Sequence, residues 1–238
     1  SNSVYSHDET TFNNRKFLII FLTMDWLKPI FNWPVGIILI LTVIISVYLF
    51  FYLYKPTIKN YTYKTTPQGK LELKIYFPKG HSANDKRPAI LFFFGGGWIS
   101  GNKKHFHKQA EYLAKRGMVA ALADYRIDSK HHTTPDSAVE DGLDAINWMA
   151  NHAGRLGINT KKIIASGGSA GGHIAACLAL CNIKQSASSV RPSLLILFNP
   201  VLDLMNASPA LEFSSRELEL IEEIGPDIAK SISPNQLI

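Results

Sequence analysis

The sequence predicts an α/β protein, a doubly wound and mostly parallel sheet preceded by an N-terminal transmembrane helix. Three observations carry this. Apolar runs of strand length alternate with helical stretches from about residue 87 onward, the pattern of βα units that close on a parallel sheet. Residues 89–94, "AILFFF", form a continuous apolar run, as a strand buried on both faces requires. Residues 29–54 hold no charged residue, and their second half, "VGIILILTVIISVYLFFYLY", is almost wholly apolar. A helix of about 20 such residues is roughly 30 Å long, the thickness of a bilayer's hydrocarbon core.

The chain has 238 residues, enough for one large α/β domain. It divides into an N-terminal segment (1–28), an anchor (29–54) and an α/β domain (55–238). Tyrosines near the anchor, with Trp26 and Trp33, suit a membrane interface. Lys55-Pro56 follows with no small-residue cleavage site, so the anchor reads as uncleaved. The chain opens on serine, and Met24 is a candidate start, with "MDWLKPIFNWP" as a short leader. The net charge of +6 owes much to Lys55, Lys59, Lys64, Lys70 and Lys74. These fit a solvated linker and edge strands, or a membrane surface. No compact basic motif points to nucleic acid.

Within 55–238, "NYTYKT" and "LELKIYFP" read as a hairpin joined at "TPQGK". Residues 103–116 read as a helix stopped by Gly117. "MVAALADYR" is the next strand. Thr134-Pro135-Asp136 opens a second helix with an N-cap, a proline at the first helical position and an early acid. "KKIIAS" and "SLLILFNPVLDL" are further strands, which gives four parallel strands after the hairpin. Residues 206–225 turn polar and acidic, and helical from about Ser214, as a lid or an ordinary crossover helix would. Cys177 and Cys181 lie four apart on one helix, too far for a disulfide, and read as core thiols. Asn60 and Asn206 stand in glycosylation triplets.

The chemistry concentrates at "ASGGSAGGHIA". Gly167-Gly168-Ser169-Ala170-Gly171 fits G-x-S-x-G, a sharp strand-to-helix turn that presents a serine at the carboxyl edge of a sheet. Small neighbours are needed because bulk two positions either side would strike strand or helix. A phosphate loop competes, but no lysine follows at the required position. Gly95-Gly96-Gly97-Trp98 comes after a buried strand, where backbone N–H groups can turn toward a ligand.

"LFFFGGGWISG", "ALADYR" and "ASGGSAGGHIA" together resemble the hormone-sensitive-lipase-like and acetyl-esterase branch of the α/β-hydrolases, over about residues 75–203. The resemblance implies that Ser169 is the acylated nucleophile and that Gly96, Gly97 and the N–H of Ala170 form the oxyanion hole. It implies no metal and no cofactor. The family places histidine before the three glycines; here it is Phe94, which leaves the bracing of the loop open.

A serine of normal acidity needs a base, and this fold orders the triad Ser, Asp or Glu, His. After Ser169 the only histidine is His173, one turn along the same helix and expected to pack beneath the glycine loop. His105, His107, His131 and His132 read as surface, and His81 and His152 as loop and helix-end residues. Asp203 is a weak candidate for the acid; a structural part at a hinge is the favoured reading. Arg126 and Asp141 are expected to pair. The triad acid and histidine are therefore expected outside this chain, which reads as C-terminally truncated. The expected activity is hydrolysis of small acyl or acetyl esters by a single-pass membrane protein with its domain extracytoplasmic, although the lysines after the anchor favour the opposite side. A non-catalytic binding module and an amidase or formamidase with the same elbow are the alternatives.

Overall fold

The computed structural model describes residues 33–181 and 190–237. It divides into two units, Ser1–Tyr54 and Lys55–Ile238. The segment 1–28, with Met24 and Trp26, lies outside the described residues.

In the first unit, α1 (Trp33–Leu53) is a helix of 21 residues without a charge. Its apolar side chains from Val35 to Leu49 are mostly exposed. Side chains are described only from Pro34 to Leu49, and among the described residues no helix is long and apolar enough to cross a membrane. The transmembrane expectation is thus not carried by the structure.

The second unit is a mixed sheet. β1 (Thr57–Thr66) and β2 (Gly69–Phe77) form the expected hairpin, with a bulge between Thr62 and Lys64. β2 runs antiparallel to β4 (Val119–Ala123), and β4, β3 (Arg87–Phe93), β5 (Ile158–Gly168) and β6 (Leu194–Phe198) are mutually parallel in the order β1-β2-β4-β3-β5-β6. The four parallel strands after the hairpin are those expected. β4 is wholly buried, and β3 is buried from Ala89 to its end.

α2 (His107–Lys115) covers one face, with Ala110 and Ala114 against Tyr76, Ile90, Phe92 and Leu122. Two helices, α4 (Pro135–Asn151) and α6 (Ala170–Leu180), cover the other through Val139, Ile146 and Ile174. Two single-turn helices, α3 (Asp128–His131) before α4 and α5 (Ala153–Leu156) after it, connect α4 to β4 and β5. The last helix, α7 (Ser215–Ser231), bends where Gly225 takes φ 76° ahead of Pro226.

Several boundaries differ from expectation. The helix expected over 103–116 begins as a 3₁₀ turn, Lys103–Phe106, because the Asn102 side chain accepts from Lys104 N and tightens the entry. Thr134 is the N-cap residue of α4, yet its hydroxyl bonds to the Asp136 carboxylate and not to the helix backbone. The last strand ends at Phe198, since Asn199 at φ 43° and Pro200 cannot continue a ladder. β6 is a sheet edge and exposes Leu194, Ile196 and Phe198.

His131 corrects its surface reading. It is 6% exposed, and its Nδ1 accepts from Ile127 N at 2.9 Å. The short α3 folds the imidazole back onto its own first turn, which a linear reading could not show.

Candidate functional site

Ser169 stands between β5 and α6 at φ 51°, ψ −121°. These are the angles of the first central residue of a type II′ turn, a place that favours glycine. A serine held there carries strain of about 1–3 kcal/mol. The surroundings hold it: Ser169 N donates to Phe198 O at 2.9 Å, and Ser169 O accepts from His173 N at 3.0 Å. The small neighbours are required by contact. A Cβ on Gly167 would strike the backbone of Gly171, and one on Gly171 would strike the carbonyls of Phe93 and Phe94. Gly95 faces Gly168 O, which would lie 2.9 Å from an added Cβ. The elbow and the glycine loop are therefore pressed together backbone to backbone.

That closeness sets the glycine loop beside Ser169, whose Cβ would lie 3.4 Å from a Cβ added at Gly95. Gly96 and Gly97 have φ of 135° and 61°. Among the described residues none of the N–H groups of Gly96, Gly97 and Ala170 is spent in an internal backbone hydrogen bond. Gly96 O instead accepts from Ile99 N and Ser100 N, which ties the loop's far side. Ala170 is the first residue of α6, so its N–H is free by position and lies at the positive end of the helix dipole.

The absent histidine before the glycines is compensated. Phe94 stacks on Tyr125 with centroids 4.1 Å apart and planes 16° from parallel, and Tyr125 Oη donates to Phe94 O at 2.7 Å. An aromatic pair and one buried hydrogen bond brace the loop from beneath.

His173 takes the packing position expected of it. Fully buried, it meets Trp98 edge to face at 5.2 Å, and its Nε2 donates to Ile232 O at 2.6 Å. The imidazole is turned to the far end of α7, and no imidazole bonds the Ser169 hydroxyl among the described residues. Burial lowers its pKa to about 4. The unfolded chain, near 6.5, then takes the proton first on acidification. The stability this neutral imidazole contributes is complete above about pH 6.5 and is lost as pH falls through about 4. Burial lowers His81 and His131 as well, so the check is a difference. The urea midpoint of the wild type should fall more steeply than that of His173→Asn between pH 6.5 and about 4.

Cys177 and Cys181 are free and buried, as expected of core thiols, and burial pushes the Cys177 thiol up. His107 is half exposed and its Nδ1 shares a hydrogen bond with Tyr76 Oη at 2.7 Å.

Beside Ser169 opens a cavity of about 590 Å³, lined by Asn199 to Asp203, Leu211 to Phe213, Glu217 and Asn235. Asp203 accepts from Met205 N, Asn206 Nδ2 and Gln236 Nε2 at 2.9, 2.7 and 2.9 Å. Its partial burial would raise its pKa, but these bonds outweigh that and hold it below the usual carboxylate value. Asp203 thus latches the turn after β6 to the chain's last turn. Glu217, not singled out from the sequence, is the carboxylate that meets the glycine loop: a Cβ on Gly97 would collide with it. Its signal was the capping box Ser214-x-x-Glu217, in which Glu217 Oε2 accepts from Ser214 N at 2.8 Å and Ser214 Oγ at 2.6 Å.

A serine on a strained elbow at the carboxyl end of a parallel sheet, with free amides opposite, defines the α/β-hydrolase class. The profile of the BD-FAE family matches residues 73–221, and the chain belongs to that family. Among curated proteins it is 29% identical over 166 residues to a probable isoprenylcysteine α-carbonyl methylesterase of Oryza sativa subsp. japonica, covering 70% of this chain and 38% of that one. Esterase LipI of Mycobacterium tuberculosis is 32% identical over 114 residues, 48% of this chain and 35% of that protein. Among solved structures, Thermogutta terrifontis esterase 2 phosphonylated by sarin superposes with a TM-score of 0.69 at 40% identity, over 77% of this chain and 68% of that one. The chain spans well under half the length of these two curated relatives.

Proposed function

We propose that the protein is a serine carboxylic-ester hydrolase acting through an acyl-enzyme on Ser169. The observation that carries this is the strained Ser169 packed beside the glycine loop, with the N–H groups of Gly96, Gly97 and Ala170 in no backbone hydrogen bond among the described residues. In this reading Ser169 Oγ attacks the ester carbonyl, and the three amides and the α6 dipole hold the oxyanion; one such donor typically contributes about 10²–10³ in rate. Water then releases the acid. Small acyl groups, acetyl first, fit the reading. The acid and imidazole of the triad are assigned outside the described residues, since His173 is turned away. The similar Thermogutta terrifontis esterase 2, solved phosphonylated by sarin, supports an organophosphonate probe. A fluorophosphonate should label the gene product at Ser169, located by peptide mass mapping, and the same protein should hydrolyse p-nitrophenyl acetate. Labelling elsewhere, or none, counts against the proposal. That no imidazole bonds Ser169 among the described residues favours a second reading, a hydrolase-fold module that binds esters without turnover, and absence of labelling with retained ester binding would establish it.

We further propose that α1 is a single-pass anchor with the hydrolase domain outside the cytoplasm. The uncharged, outward-facing apolar surface of α1 supports the anchor, and the signal-anchor look of "MDWLK" supports the side. The chain should sediment with membranes after high-speed centrifugation, and residues 55–238 should not. Recovery of the whole chain in the supernatant would refute the anchor. Protease added to intact cells should cut the domain.

A further inference from the structure

We propose that the Ser169 cavity selects esters that are neutral or cationic and rejects anionic ones, with Glu217 as the specificity-determining residue. This rests on the reading of the Ser169 cavity as a substrate site. Every ionisable side chain that lines the cavity besides the serine is a carboxylate: Asp203, Glu212 and Glu217. Glu217 lies nearest the chemistry, because its carboxylate occupies the space against Gly97.

The capping box fixes that carboxylate. Its Oε2 is held by the backbone and hydroxyl of Ser214, which leaves Oε1 toward the glycine loop. Those donors are neutral, so the charge remains. Arg216, the neighbouring cation, is turned away: it makes a two-pronged pair with Asp128 at 2.9 and 2.8 Å and a further bond to Glu219 at 3.0 Å. Asp203 is likewise bonded only by neutral donors. The cavity therefore carries unoffset negative charge. A ligand charge several ångströms from one carboxylate, in a partly open site, gains or loses about a factor of ten in affinity.

The test uses three alcohols of similar size and different charge: choline, 3,3-dimethylbutan-1-ol and 3-hydroxypropanesulfonate. Each is titrated by ligand-observed NMR against the whole gene product in a neutral detergent, and their acetates are offered as substrates. Choline should bind about tenfold tighter than the neutral alcohol, and the sulfonate about tenfold weaker. Glu217→Gln keeps the capping box, so its melting temperature should hold while both ratios shrink severalfold. Equal affinities, no binding by any of the three, or unchanged ratios in Glu217→Gln would overturn the inference. Graded binding without turnover of the acetates would support the charge selection and refute ester hydrolysis. Turnover without grading would do the reverse.

Discussion

Ser169→Ala is expected to abolish fluorophosphonate labelling and to lower ester hydrolysis by several orders of magnitude, to what the oxyanion amides and binding alone supply. The structure makes the comparison clean. The serine hydroxyl makes no hydrogen bond among those described, so its loss leaves no buried group unpaired, while the backbone bonds to Phe198 and His173 remain. Alanine has the same difficulty as serine at φ 51°, ψ −121°, so the melting temperature should hardly move. Ser169→Gly separates the chemistry from the strain. It should be equally inactive and about 1 kcal/mol more stable than Ser169→Ala, because glycine adopts this turn position without penalty. Equal stability of the two variants would remove strain from the account, and undiminished hydrolysis by either would remove Ser169 from the mechanism.

Asp141→Ala is expected to cause the largest loss of stability, about 3–5 kcal/mol. The carboxylate of Asp141 is fully buried and accepts four charge-assisted or backbone bonds: from Arg126 N, Nε and a terminal guanidinium nitrogen at 2.9, 2.8 and 2.9 Å, and from Lys64 Nζ at 2.7 Å. It joins α4 to the end of β4 and to β1. Removing it takes away the buried carboxylate that Arg126 and Lys64 share and leaves them only the exposed Glu140 and Asp144. In a domain of this size the melting temperature should drop by roughly 10 °C. Asp141→Asn, which keeps the shape and loses the charge, should fall between. A shift within 2–3 °C for Asp141→Ala would mean that water replaces the carboxylate and that the cluster is not a tie.

The pairing of Arg126 with Asp141 was legible in the sequence, as were the hairpin, the four parallel strands and the elbow, because each follows from a local pattern. A short apolar run bounded by proline and glycines suits a strand covered on both faces. A serine flanked by glycines at both second positions can only be useful where backbone meets backbone. Other parts were misread or missed for one reason: their partners are far along the chain. His131 was assigned to the surface, since nothing in "SKHHTT" reveals that its ring turns back to Ile127. Phe94 left the loop's bracing open, and Tyr125, 31 residues on, closes it.

What the sequence determined by itself was the kind of chemistry on offer. The order strand, glycine loop, helix, strand, helix, strand, serine turn and helix needs no coordinates, since spacing along a chain dictates which elements form and which residues sit at their ends. Tertiary structure decided what surrounds the serine. It turned His173 to Ile232 O and away from the hydroxyl, closed Asp203 into a latch, and carried Glu217 from 120 positions downstream onto Gly97. These are contacts between elements separated by whole strands and helices. Their geometry depends on how the faces of the sheet are filled, and that is a property of the packed molecule and not of any local stretch.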